Sequence, residues 1–168
     1  GVVVWYILES ISKTLALPVL LFAVLFTFFL PHIRIPYITS ILNEMHRRGE
    51  RPGKGAFYFF LGCIPLVLIE KQWVILLMAV ADGIATLVGR FFGRTPLHRG
   101  KSFEGSLASF LTALAISNHF YEPAWLPAIL YTFTELFSPI DDNLAVPLVL
   151  STLFVLEPLA KAHLFPLP

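Results

Sequence analysis

Charged residues are scarce in this sequence: only 14 % of its 168 residues are Asp, Glu, Lys or Arg. A chain that covers itself with a water-facing surface carries about 25 %. The shortfall points away from a water-soluble fold, and the 57 % share of hydrophobic residues points away from disorder. Net charge is nearly absent too, at +1. The global basic field that nucleic-acid binding uses is therefore missing, and no nucleic acid is expected as a partner. Cysteine is reduced to Cys63 alone, which excludes a disulfide framework and a cysteine zinc cluster. No internal repeat, low-complexity tract or cleavable signal pattern is evident. What the chain has instead is apolar bulk. Mean hydropathy is +0.76, and its 16 Phe are hard to bury in a soluble core of this size but easy to place against lipid. The expectation is an all-α integral membrane protein in one membrane-embedded domain, residues 1–168.

The apolar runs predict about seven transmembrane helices. They cover residues 1–8 (read as the remnant of a span whose start is missing), 15–30, 55–69, 73–92, 105–119, 125–137 and 144 onward. Residues 36–48 differ. Ile38, Ile41, Leu42 and Met45 alternate with Thr39, Asn43, Glu44 and His46, the pattern of one amphipathic helix lying in the interface. With seven spans, loops 31–54 and 93–104 fall on the same side. Together with Arg90 they hold nine of the 12 Lys and Arg. The positive-inside rule then predicts a multi-pass protein with these loops in the cytoplasm, and Trp73, Tyr121 and Trp125 at the outer interface.

Against this background a few polar residues need an explanation. Asp82 sits in the middle of the 73–92 run, where an ionised carboxylate must be paired or hydrated. Two readings are open: a structural carboxylate held by a basic neighbour, or a metal or proton site. Asp82, Thr86, Gly89 and Arg90 share one helix face, and that small, polar face favours the second. Next, Gly89, Arg90, Gly93 and Arg94 lead into Lys101-Ser102-Phe103-Glu104-Gly105-Ser106, where another helix begins. Glycines, basic side chains and the exposed N–H groups of a helix start suit phosphate. They equally suit ordinary flanking charge with Ser102 as an N-cap. No Gly-x-x-x-x-Gly-Lys-Ser/Thr run occurs. Finally, Glu135 and the turn Asp141-Asp142-Asn143 add oxygen donors of the kind that Mg2+ uses with substrate phosphates. The plainer reading of that turn is a helix cap. Glu9, Glu157, His119 and His163 have no supporting pattern, and Cys63 reads as a buried small residue.

Three blocks, in order, resemble the dolichol kinase and phytol kinase family of polyprenol kinases, with which CTP-dependent diacylglycerol kinases share the pattern. They are the stretch from Ala81-Asp82-Gly83 to Gly89-Arg90-Phe91-Phe92-Gly93, then Lys101 to Ser106, then Asp141-Asp142-Asn143-Leu144-Ala145-Val146-Pro147-Leu148. The resemblance spans roughly residues 50 to 150. The family's basic Arg-Lys motif ahead of its early spans has no counterpart here. The resemblance implies a catalytic domain that transfers phosphate from CTP to a lipid alcohol in the bilayer, with Mg2+, at the cytoplasmic face. On that reading Asp82, Lys101 and Glu135 are catalytic. Thr86, Gly89, Arg90, Gly93, Arg94, Lys101, Ser102, Glu104, Gly105 and Ser106 bind nucleotide. Asp82, Asp141, Asp142 and Asn143 hold the metal. The alternatives are a diacylglycerol kinase, a cytidylyltransferase that forms a CDP-lipid, and a non-enzymatic transporter or scaffold. Acceptor identity and oligomeric state are open.

Overall fold

Each apolar run folds as a helix, and the joints fall where proline, glycine or charge interrupts it. The structure, a computed structural model, describes residues 1–29, 54–98 and 100–164, with the backbone alone for Lys13 and 158–164. Its helices are α1 (Val2–Ser10), α2 (Lys13–Phe29), α3 (Lys54–Leu68), α4 (Trp73–Phe92), α5 (Phe103–Phe120), α6 (Trp125–Phe137) and α7 (Asp142–Leu164). Among the described residues the sole β-pairing is an isolated antiparallel bridge between Pro96 and Ser102. The expected interfacial helix at 36–48, the basic residues Arg34, Arg47, Arg48 and Arg51, and Arg99 lie outside the described residues.

The core is one contiguous cluster to which all seven helices contribute. α4 is its axis. Trp73, Val74, Ile75, Leu77, Met78 and Ala81 are buried along one flank of α4. Its most extensive packing is against α5, while α2 packs on α3, α3 on α7, and α6 on both α5 and α7. The α4–α5 approach depends on missing side chains. A Cβ on Gly105 would lie 2.9 Å from the Ala85 carbonyl oxygen and 3.2 Å from the Gly89 Cα. The two backbones therefore meet where both helices carry glycine.

The expectation of about seven membrane spans is overturned. Among the described residues one helix, α4, is long and apolar enough to cross a bilayer, by length and composition. The physical reason lies in length and in polarity. Within the described residues α2 has 17 residues, α3 has 15 and α6 has 13. At ~1.5 Å per residue none of these reaches the ~30 Å of a hydrocarbon core. α5 has the length but spends it on Glu104, Ser106, Ser109, Thr112, Ser117, Asn118 and His119, and α7 carries Asp142, Asn143 and Glu157. Without seven crossings, the alternation that put the two basic loops on one side no longer follows. Trp73 is 7 % exposed and stacks on Phe120 with ring centroids 5.5 Å apart. The apolar bulk outside the core is nevertheless on the surface, with Phe22 and Phe91 each 70 % exposed.

Substitution of two glycines tests the packing. Gly105→Ala forces atoms together at the α4–α5 contact and is expected to destabilise by about 1–3 kcal/mol. Gly83, also on α4, has nothing within 4 Å of its would-be Cβ. Gly83→Ala is expected to stabilise by up to about 1 kcal/mol, because alanine is the better helix former. Thermal unfolding of both variants in detergent should move the midpoint in opposite directions.

Candidate functional site

The polar face of α4 and the start of α5 enclose a cleft. It has a volume of about 440 Å³ and is lined by Asp82, Ala85, Thr86, Gly89, Arg90, Gly100, Lys101, Ser102, Gly105, Ser106 and Glu135. The helical repeat puts Asp82, Thr86, Gly89 and Arg90 on its wall in a row. The facing wall is the first turn of α5. There Ser102 caps the helix, its Oγ accepting from the Gly105 N–H at 3.2 Å. The cap aligns the free N–H groups of that turn, which carry the positive end of the helix dipole.

Between the helices runs a short hairpin that sets the position of Lys101. Leu97 N donates to Lys101 O at 2.8 Å and Phe103 N to Thr95 O at 2.8 Å. Its turn needs Gly100, whose φ of +77° is in the left-handed region that glycine adopts without strain. Glu104 closes the base of the hairpin. Its carboxylate accepts from the backbone N–H of Arg94 at 3.1 Å and of Thr95 at 3.2 Å, and from the Thr95 hydroxyl at 3.0 Å. Hydrogen bonds from its own backbone and from Arg94 and Thr95 hold the Glu104 carboxyl below its ordinary pKa.

Lys101 projects from this hairpin onto α6. Its ammonium donates to both the carbonyl oxygen and Oε1 of Glu135, each at 2.8 Å. Asp142 Oδ2 is 3.6 Å from the same nitrogen. The other Glu135 oxygen accepts from Ser109 Oγ at 2.9 Å. With its side chain 7 % exposed and both oxygens engaged, Glu135 is placed to hold Lys101.

A second cavity, about 240 Å³, shares Asp82 and Glu135 with the first. Asp142 and Asn143 line it, together with Gly1, Tyr131 and the apolar Phe59, Met78, Ala79 and Val146. The start of α7 is held beside it by a tight fit against α3, where a Cβ on Gly62 would collide with the Pro147 ring.

The expected residues thus divide. Asp82, Thr86, Gly89, Arg90, Lys101, Ser102, Gly105, Ser106 and Glu135 converge on the cleft, and Asp142 and Asn143 converge on its neighbour. Gly93, Arg94 and Glu104 line neither cavity. Gly93 donates its N–H to Gly89 O at 3.1 Å as the end of α4, and Arg94 and Glu104 build the hairpin. Asp141 lines neither cavity and serves as a cap, its Oδ1 accepting from Asn143 N at 3.1 Å. Ser109 and Tyr131 are absent from the sequence-based set. Spacing held a clue to each. Gly105, Ser109, Ala113 and Ser117 form a buried small-residue stripe at every fourth position of α5. Tyr131 lies one turn before Glu135 on α6.

Among the described residues no three His, Cys, Asp or Glu come together as a group able to hold a metal. The donors fit a different arrangement. Asp82, Asp142 and Asn143 share one cavity beside a phosphate-friendly cleft, and Mg2+ commonly binds through one or two carboxylates plus substrate phosphates.

No protein-family model matches this chain, and no solved structure matches it. Among curated proteins it is 32 % identical over 164 residues to an uncharacterized protein of Methanocaldococcus jannaschii, MJ1137. The alignment covers 90 % of this chain and 85 % of that protein.

Glu104 offers a test of the hairpin that is separate from chemistry. A carboxylate with a lowered folded pKa contributes stability above its unfolded pKa and loses it as pH falls through the folded value. The melting midpoint of Glu104→Gln is expected below that of wild type at pH 7. The gap should narrow as pH drops below the ordinary carboxylate value of 4.5. Parallel melting curves from pH 7 to pH 3 check this.

Proposed function

We propose a function for a family as well as for one chain, since this protein belongs to one family with the Methanocaldococcus jannaschii protein MJ1137: transfer of the γ-phosphoryl group of CTP to a lipid alcohol. The observation that carries the reading is the cleft itself. Nine residues expected from sequence to handle nucleotide or catalysis line one cavity. They come from helices α4, α5 and α6 and from a hairpin; helical spacing groups Asp82, Thr86, Gly89 and Arg90, but it does not require that row to meet Lys101, Ser102, Gly105, Ser106 and Glu135.

Phosphoryl transfer asks the protein mainly for positioning and charge neutralisation. Arg90, Lys101 and the free N–H groups at the start of α5 bind the polyphosphate. Gly100 leaves open space beside the backbone, while Gly89 and Gly105 let α4 and α5 approach closely. Asp82 and Asp142, with Asn143, would hold the Mg2+ that accompanies the nucleotide and supplies neutralisation of phosphate charge. Asp82 orients the acceptor hydroxyl and takes its proton. The alcohol oxygen forms a bond to the γ-phosphorus as the bond from phosphorus to the β,γ-bridging oxygen breaks. CDP leaves with that electron pair. Lys101 is kept in place by Glu135, whose carboxylate is itself oriented by Ser109. The exposed phenylalanines suit a protein working at a lipid surface, and in this reading the cleft faces the cytoplasm, where CTP is available. The base preference for CTP and the lipid acceptor come from the resemblance of the three sequence blocks.

The direct test is incubation of purified protein with CTP, Mg2+ and phytol or geranylgeraniol. CDP and a lipid monophosphate are expected; pyrophosphate would instead identify a cytidylyltransferase. If CTP up to millimolar concentration produces neither product nor thermal stabilisation, the scaffold reading is left, because a ligand that binds the native state must stabilise it. Asp82→Asn should melt as wild type does while turnover falls at least ~100-fold, the scale of losing a general base. Arg90→Ala should raise the KM for CTP by about tenfold, as expected for one lost charge-assisted hydrogen bond, with no change in melting.

A further inference from the structure

We infer that Lys101 sets what the metal-binding carboxylates accept: it disfavours a divalent cation arriving alone and admits one together with a polyphosphate. The inference rests on the kinase reading of the cleft and adds to it a coupling between metal and nucleotide. It follows from a count of donors. A lysine ammonium has three protons to give and accepts none. Two are taken by Glu135, through its carbonyl oxygen and its Oε1, each at 2.8 Å. One proton is left, and Asp142 Oδ2 lies 3.6 Å from the nitrogen. At that distance the contact is an ion pair and not a hydrogen bond. It is the loosest of the three.

Lys101 and Asp142 line different cavities, and Glu135 lines both. Each member of the loose pair is therefore suited to a different ligand. Phosphate oxygens suit the ammonium, and a divalent cation suits the carboxylate, which lines the second cavity with Asp82 and Asn143. While the two are paired, a cation that reaches Asp142 meets a carboxylate already offset by one positive charge, and that charge repels it. A phosphate that draws the third proton of Lys101 into the cleft removes the obstacle. The contacts to Glu135 stay as they are. Exposure marks which partner can be exchanged: the side chains of Lys101 and Asp142 are 25 % and 23 % exposed, and that of Glu135 is 7 % exposed. Glu135 is also fixed from behind by Ser109 at 2.9 Å. It serves as the pivot, and Asp142 is the partner given up. Linkage makes the effect reciprocal, so the factor by which nucleotide strengthens metal binding is the factor by which metal strengthens nucleotide binding.

Two measurements in detergent test the exchange. The first follows Mn2+ alone, which favours oxygen ligands as Mg2+ does, by the electron paramagnetic resonance signal of the free ion. Lys101→Met keeps an unbranched side chain and removes the charge. Without nucleotide it should bind Mn2+ about tenfold more tightly than wild type, a factor usual for coupled sites. Equal or weaker binding by the folded variant would overturn the inference. The second measurement leaves Lys101 in place and titrates CTP calorimetrically in EDTA. Asp142→Asn releases the ammonium and should tighten metal-free CTP by a similar factor of about ten. Asp141→Asn removes the same charge one residue away, outside both cavities, and should change nothing. No tightening in Asp142→Asn, or equal tightening in both variants, would also overturn the inference, the second because it reports general relief of repulsion. The two readings fail separately. CTP binding without any lipid phosphate formed would sink the kinase reading, while the Mn2+ and CTP titrations would still decide the role of Lys101.

Discussion

The contact on which the rest of the site depends is the ion pair between Lys101 and Glu135. It joins the hairpin before α5 to the last turn of α6, between residues 34 positions apart in sequence. An isolated charge with little exposure is unfavourable, and removing one member of such a pair leaves the other uncompensated. Here Ser109 takes the remaining oxygen of Glu135, and Asp142 approaches the ammonium from α7. One cation thereby brings together α5, α6 and α7 at the common wall of two cavities. The pair contributes definition more than stability, since the desolvation of both groups offsets much of their attraction.

The ion pair is in turn set by backbone geometry. Lys101 reaches Glu135 because the hairpin turns at Gly100 and is closed at its base by Glu104. The hairpin is short because α4 and α5 run so close together, which glycine at positions 89 and 105 permits. The space that side chains at 89 and 105 would take is filled by the facing helix and by Ser102, so both glycines line the cleft at the helix–helix contact itself.

Charge is divided across the site in a way that suits two different ligands. Cations and N–H groups line the cleft, and carboxylates with apolar walls line the cavity next to it. Asp82 belongs to both, on the helix that also forms the axis of the core. Its position is therefore held by the packing of the whole domain, through the buried flank of α4, and not by a mobile loop. A reacting group placed on a packed helix has little freedom to drift from its productive geometry.

Much of this was legible in one dimension. The helices follow the apolar runs closely: α4 and α6 cover the expected 73–92 and 125–137, and α3 is shifted by a single residue. The row Asp82, Thr86, Gly89 and Arg90 follows from helical periodicity alone, as does the cap at Ser102. Apolarity was misread as a count of membrane crossings, because hydropathy reports what a segment tolerates while crossing also requires length, and most of these helices are short. The hairpin contacts of Glu104, whose carboxylate accepts from Arg94 and Thr95, were also hidden. So was the contact of Asp141, which accepts from the Asn143 N–H. Ser109 and Tyr131 escaped because a hydroxyl on an apolar helix is silent until something packs against it. By itself, then, the sequence determined the helices and which face of α4 is polar, since both are local consequences of residue spacing. Only the tertiary structure decided that Lys101 meets Glu135 and that a cationic cleft adjoins an acidic cavity, because those depend on how distant helices pack.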